Sequence, residues 1–151
     1  VLENLDDLFV LMNGSERAER EHKFVLGGGT NLLFADDVPA LVLQNRLLGK
    51  EILEETVDEV RVRVGAGEDR DEFVDRVVDR GWAGVENLAG IPGTVGAAPI
   101  QNIGAYGVEL ESVVEKVFAV ELETGVERQF SREECEFGYR RSVFNQELRG
   151  K

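Results

Sequence analysis

Three short segments carry residue types whose spacing could do chemistry. The first, Val25-Leu26-Gly27-Gly28-Gly29-Thr30-Asn31-Leu32, places three glycines directly after an apolar run. Without β-carbons, main chain can approach a ligand closely and aim successive N–H groups at one point, which suits a pyrophosphate. The dinucleotide fingerprint of the Rossmann type fails here, because Gly27 and Gly29 would require Gly or Ala where Leu32 stands, and no Gly-Lys-Ser/Thr follows to make a P-loop. The second segment runs from Glu86 to Gly107 and contains Ile91-Pro92-Gly93-Thr94-Val95-Gly96-Ala97-Ala98-Pro99-Ile100-Gln101-Asn102-Ile103-Gly104-Ala105-Tyr106-Gly107. Small residues at Gly93, Gly96, Ala97, Ala98, Gly104 and Ala105 let backbone lie flat against a large planar group, while Gln101 and Asn102 offer amide donors and acceptors. In the third, Cys135 to Phe144, Gly138 precedes Tyr139 and Arg140, a phenol and a permanently charged guanidinium suited to steadying an oxyanion.

Each segment alone has a plainer reading: a flexible turn, a tightly packed loop, and surface ion pairing in a chain with surplus carboxylates. Their co-occurrence is what points to a site. Other groups are set aside. His22, the single histidine, lies in a polar run with Glu19, Glu21 and Lys23, far from Cys135, so no metal site is expected. Cys135 and Trp82 read as packing residues. The acidic runs Glu54-Glu55 and Asp69 to Asp71 read as solvated faces, and no Ser/His/Asp set for acyl transfer is present.

The elements that must position these segments follow from periodicity. Leu5, Leu8, Phe9 and Met12 recur at three- and four-residue steps after a cap at Asn4, predicting a helix that fades into the polar run Ser15 to His22. Phe24-Val25-Leu26 predicts a short buried strand and Ala40 to Leu43 another, so the first 50 residues read as a small α/β unit. Val60, Val62 and Val64 alternate with Arg61 and Arg63 as in a half-buried strand. Phe73, Val74, Val77 and Val78 are spaced as in a helix between Asp69 and Gly81. From Gly84 to Gly107 there is little periodicity, and an ordered binding segment is expected. Val114, Phe118, Val120 and Leu122 predict a strand, Thr124-Gly125 its turn and Val126 to Phe130 its partner, and Ser131 with Glu134 forms a capping box for a short helix.

Composition bounds the rest. The chain has 151 residues, 17 Lys+Arg against 30 Asp+Glu, a formal charge of -13 and 42% hydrophobic content. That fits one globular domain or two small subdomains. No apolar stretch approaches the ~18–20 residues of a membrane span, so a soluble cytoplasmic protein is expected. A single cysteine excludes an internal disulfide, and the acidic excess opposes nucleic acid and anionic lipid as partners. The chain opens on Val1, and a piece of a longer protein is expected.

Together, in this order and at these separations, the three segments resemble the flavin-binding part of the UDP-N-acetylenolpyruvoylglucosamine reductases, also called UDP-N-acetylmuramate dehydrogenases. The resemblance covers nearly the whole chain. It implies an α+β fold, an FAD-binding domain of the vanillyl-alcohol-oxidase type, with FAD held between two subdomains, here 1–50 and 51–151. The implied reaction is cytoplasmic and makes a peptidoglycan precursor: NADPH reduces the flavin, and the enolpyruvyl group of the UDP-sugar enolpyruvate substrate takes a hydride at its terminal vinyl carbon. Charge then develops on the enol carboxylate before the adjacent carbon is protonated. By position, Gly27 to Asn31, flanked by Leu26 and Leu32, would wrap the FAD pyrophosphate, and Ile91 to Gly107 would line the isoalloxazine and the rest of the cofactor. Arg140 matches the family's active-site arginine and Tyr139 a substrate-contacting tyrosine. Arg141 stands where the family usually carries an acid. The family's catalytic serine and glutamate belong to a later domain that the chain does not reach, and its customary opening segment is also absent, so incomplete turnover of the isolated chain is expected. The alternatives are a non-catalytic flavin- or nucleotide-binding module and another oxidoreductase of the same flavin fold. Absence of His or Cys in the flavin-contacting blocks argues against covalent flavin attachment.

Overall fold

The computed structural model describes residues 1–13 and 22–150. Helix α1 (Leu5–Asn13) is closed by a reciprocal cap: Asn4 Oδ1 accepts from the Asp7 N–H at 2.9 Å, and the Asp7 carboxylate accepts from the Glu3 and Asn4 N–H groups at 2.8 and 3.1 Å. Its apolar face buries Leu8 against Leu2 and Leu43. Strands β1 (Lys23–Leu26) and β2 (Leu41–Gln44) pair in parallel. A parallel pair needs a long crossover, and residues 27–40 supply it, so the first glycine segment sits where the chain leaves the C-terminal end of β1. The expected burial of Phe24 to Leu26 is only half realised. Val25 and Val42 lie on an open face, 50% and 39% exposed. The polar run after α1 falls, His22 apart, outside the described residues.

Strands β3 (Lys50–Glu55) and β4 (Val60–Val64) form an antiparallel pair, with a bulge in β3 between Ile52 and Glu54. The alternation is as predicted: the β4 valines are half-buried, while Arg61 reaches Glu54, Glu59 and Glu115 and Arg63 reaches Glu51. Helix α2 (Arg70–Asp79) starts where Asp69 accepts from the N–H groups of Asp71 and Glu72, and buries Val74 and Val77. It ends at Gly81, whose φ of +73° turns the chain so that the Trp82 N–H reaches the Val77 carbonyl at 3.1 Å, beside the Gly81 N–H on the Val78 carbonyl at 2.8 Å.

Residues 84–107 are more regular than their aperiodic sequence suggests. They fold into 3-10 turns at Glu86–Leu88 and Val95–Gln101 and a short hairpin of β5 (Gly104–Ala105) with β6 (Val108–Glu109). Leu88, Ala98 and Ile103 pack with Val74 of α2 into one buried cluster. Closely spaced apolar residues in tight turns have no helix or strand period, which hides this order from a periodicity reading.

The last hairpin pairs β7 (Lys116–Val120) with β8 (Glu127–Ser131). Pairing runs on to Glu121 and Val126, so the connection is the loop 122–125 rather than a two-residue turn at Thr124-Gly125, and Val114 and Leu122 lie outside the strand. The Ser131–Glu134 capping box closes in both directions, yet no helix follows. Glu136 adopts a φ of +48° and turns the chain away after one turn. Cys135 is fully buried with Phe130 and Val143, as expected of a packing residue, and burial first, then Glu134 and Glu133, pushes its thiol up to about 11.

One buried ion pair ties the middle of the chain together. Glu68, 8% exposed, accepts from the Lys50 ammonium and from the Gly49 N–H at 2.7 Å, and these bonds, Lys50 first, hold its carboxyl below the usual carboxylate range. The depressed native value means this stabilisation is present above the unfolded pKa of ~4.3 and is lost as pH falls through the native value. Urea denaturation followed from pH 7 to pH 3 should therefore show Glu68→Gln less stable at neutral pH by about 1–3 kcal/mol, with the gap to wild type closing in acid. A gap constant across that range would rule the pair out as the cause.

Candidate functional site

The first and second glycine segments come together. A β-carbon on Gly27 would sit 2.8 Å from Thr94 Oγ1 and 3.5 Å from the Ala97 β-carbon, and one on Gly28 would sit 3.7 Å from Gly93 Cα. Thr30 Oγ1 donates to the Pro92 carbonyl at 3.2 Å. Among the described residues, nothing accepts from the main-chain N–H groups of Gly28, Gly29, Thr30 or Asn31. The surface so formed is bare main chain with open donors, which is what a diphosphate requires. Leu26 anchors it as the last residue of β1, Leu32 is half exposed at its far end, and Ile91 packs onto the buried cluster behind it.

Behind this surface lies a segment that the sequence reading passed over. Gly65, Ala66 and Gly67 connect β4 to α2 and lie directly against other main chain: β-carbons would fall 2.3 Å from the Leu47 carbonyl oxygen at Gly65 and 2.4 Å from Arg46 Cα at Gly67. On the other side, a β-carbon on Gly96 would fall 2.5 Å from that of Ala66, and the Val95 and Gly96 N–H groups donate to the Glu68 and Ala66 carbonyls at 2.9 Å. Two glycines bracketing one residue after a strand were the available signal. Asp69 to Asp71 also departs from the solvated face expected of it, because Arg70 within it is buried and Asp71 accepts from the Gly90 N–H at 2.6 Å.

The third segment is joined to the second by two buried side chains. Asn102, 1% exposed, donates to Glu109 Oε2 at 2.9 Å and to the Gly138 carbonyl at 3.3 Å and accepts from the Glu111 N–H at 3.1 Å. Its amide is thus occupied within the protein, not offered to a ligand, and Ala98 and Ile103 are likewise core residues. Ser142 Oγ donates to the Ile100 carbonyl at 2.7 Å. Gly138 and Arg141 exchange main-chain hydrogen bonds, so Tyr139 and Arg140 form the tip of a tight turn, with Arg140 at a φ of +53°. Tyr139 is 86% exposed and lines, with Gly104, Ala105, Gly107 and Ser112, a cleft of about 500 Å³ whose acidic members are Glu109 and Glu111. No carboxylate among the described residues pairs with Arg140, whereas Arg141 faces Glu136 at 3.8 Å. Gln101 is half-buried beside these groups, and Tyr106 and Gly107 form the exposed tip of the β5–β6 hairpin.

A model of the FAD binding domain family matches residues 16–128, and the chain belongs to that family. Its α+β architecture is that of the vanillyl-alcohol-oxidase type of flavin domain. More particularly, it is similar to enzymes named UDP-N-acetylenolpyruvoylglucosamine reductase: 53% identical over 82% of this chain and 36% of the protein from Pseudomonas aeruginosa, and 45% identical over 97% of this chain and 42% of that from Photobacterium profundum. The crystal structure of the reductase of that name from Thermus caldophilus superposes with a TM-score of 0.69 at 33% identity, over 93% of this chain and 48% of that one. The chain therefore spans less than half the length of these relatives.

Two substitutions probe this geometry. Gly96→Ala drives a β-carbon into Ala66, where main chain leaves no room to yield, and should lower stability in urea by about 1–3 kcal/mol. A midpoint equal to wild type would contradict the contact. Tyr106 and Gly107, at φ of +52° and +81°, form a two-residue hairpin turn of the kind that favours Asn-Gly. Tyr106→Asn should accordingly raise the stability of the flavin-free chain, by roughly 1 kcal/mol, and a decrease would show that the tyrosine ring packs where the turn needs it.

Proposed function

We propose that residues 1–50 and 51–151 form two subdomains that grip FAD between them, and that this chain is the flavin portion of a reductase acting on a UDP-sugar enolpyruvate with NADPH in peptidoglycan precursor synthesis, in the cytoplasm. The observation carrying the reading is the convergence of the first and third segments on residues 91–104 of the second, through Thr30 with Pro92, and through Asn102 with Gly138 and Ser142 with Ile100. No helix among the described residues is long and apolar enough to cross a membrane.

The residues present fit the cofactor. Open N–H groups at Gly28 to Asn31 and the bare chain of Gly93 suit the diphosphate, and the cleft at Gly104 to Gly107 admits a planar ring system. FAD, when bound there, would relay a hydride from NADPH to the substrate. Arg140 then serves the substrate side. Held in a left-handed backbone conformation at the tip of a tight turn, and unclaimed by any carboxylate among the described residues, its guanidinium is kept for an anion that develops during the reaction. Tyr139 beside it would contact the substrate from the cleft wall.

Purified chain should bind FAD and show the two visible absorption bands of a flavoprotein. In the whole protein of which this chain is the flavin portion, Arg140→Met should reduce substrate-dependent NADPH oxidation about 10²–10³-fold while leaving the flavin content unchanged. Turnover within a few-fold of wild type would remove Arg140 from the active site, and a colourless protein that takes up no flavin would end the cofactor reading.

A further inference from the structure

Arg70 is 5% exposed, and its Nε and Nη2 are buried with no acceptor among the described residues. That is unexpected in a chain with 30 Asp+Glu, where exposed Arg61 alone reaches three carboxylates. The acids on either side of Arg70 are engaged elsewhere: Asp69 caps α2, and Asp71 holds the Gly90 N–H. Burial pushes the guanidinium below its ordinary range, with Asp71 and Asp69 opposing, yet an arginine stays charged in proteins. A buried, charged, unpaired donor is costly and calls for an anion.

The direction of the side chain says where that anion belongs. A β-carbon on Gly93 would sit 3.8 Å from both Nη1 and Nη2 and 3.3 Å from Thr30 Oγ1, so guanidinium, Gly93 and Thr30 meet at one point. The Arg70 N–H donates to the Gly93 carbonyl at 3.0 Å, which fixes the base of the side chain against the second glycine segment. Gly93 has no side chain to stand between the guanidinium and Thr30, beside the open N–H groups of the first segment. We propose that Arg70 is an anion-binding residue whose guanidinium takes a phosphate oxygen of the FAD diphosphate where the two glycine segments meet. This rests on the FAD reading above and adds to it a charged residue outside all three segments. A planar fork matched to phosphate oxygens supplies what neutral N–H groups alone do not, a full positive charge in an acidic protein.

The test compares FAD with riboflavin, which lacks phosphate, by flavin-fluorescence titration of the purified chain, its Arg70→Met variant and its Arg70→Lys variant. Arg70→Met should lose roughly 10–100-fold in FAD affinity with riboflavin unchanged, and Arg70→Lys, which keeps the charge but not the fork, should fall between. The melting temperature of the flavin-free Met variant should not drop, since no partner is lost. The deciding quantity is the FAD-to-riboflavin affinity ratio. A ratio the same in wild type and both variants overturns the proposal, and a variant that also melts earlier then assigns Arg70 to packing. Should Arg70→Met fail to fold, the ratio in Arg70→Lys decides alone. Inorganic pyrophosphate should compete with FAD for wild type, and pyrophosphate binding without competition would place the anion outside the cofactor site. Wild type that binds neither flavin fails the cofactor reading itself, distinguishable from wild type that prefers FAD by a ratio the variants leave unmoved.

Discussion

Where residues 93–96 cross residues 65–70, main chain rests on main chain, with the Ala66 methyl directly facing Gly96. The crossing is closed by hydrogen bonds from Val95, Gly96 and Arg70 to facing carbonyls, and it tolerates no β-carbon at Gly96. A third strand of chain, residues 46–49, lies against Gly65 and Gly67 on the opposite side. Such contact satisfies backbone donors and acceptors that would otherwise be buried without partners, and it sets the spacing of everything built on it. Because Gly93 is held at this crossing, the loop leaving β1 can lie against it, and Gly27 to Thr30 pack on residues 92–97 there.

The same crossing explains the electrostatics of the candidate site. Glu68 and Arg70 sit on either side of Asp69 in one short connection, and their fates differ. Glu68 turns toward Lys50 and Gly49 and is neutralised within the fold. Arg70 turns toward Gly93 and is not. With a formal charge of -13, the chain repels anions at long range. An anionic cofactor must therefore be attracted by donors at contact distance in a dry place, where an interaction is stronger than at the solvated surface.

The third segment is tied to this frame through neutral buried groups. Asn102 in a left-handed conformation spends its whole amide on Glu109, Gly138 and Glu111, and Ser142 spends its hydroxyl on Ile100. Fully satisfied polar networks of this kind specify one arrangement. Here they set the turn of Tyr139 and Arg140 beside the cleft at Gly104, which leaves both side chains outside the network and exposed.

Periodicity and punctuation made α1, β4, α2 and the last hairpin legible from residue types alone, because each buries one face at a regular step or begins at a recognisable cap. The three candidate segments also stood out, as clusters of glycine and as a Tyr-Arg pair. What the residue string could not disclose was which backbones touch. Gly65 and Gly67 were passed over, Asn102 was read as a ligand donor when its amide is internal, and Arg70 was hidden inside an acidic run that looked solvated. Local sequence determined where chain could come close and where charge was available. Only the tertiary structure decided which close approaches and donors were used by the fold and which were left open, since hydrogen-bond satisfaction between segments tens of residues apart depends on three-dimensional proximity and on no local pattern.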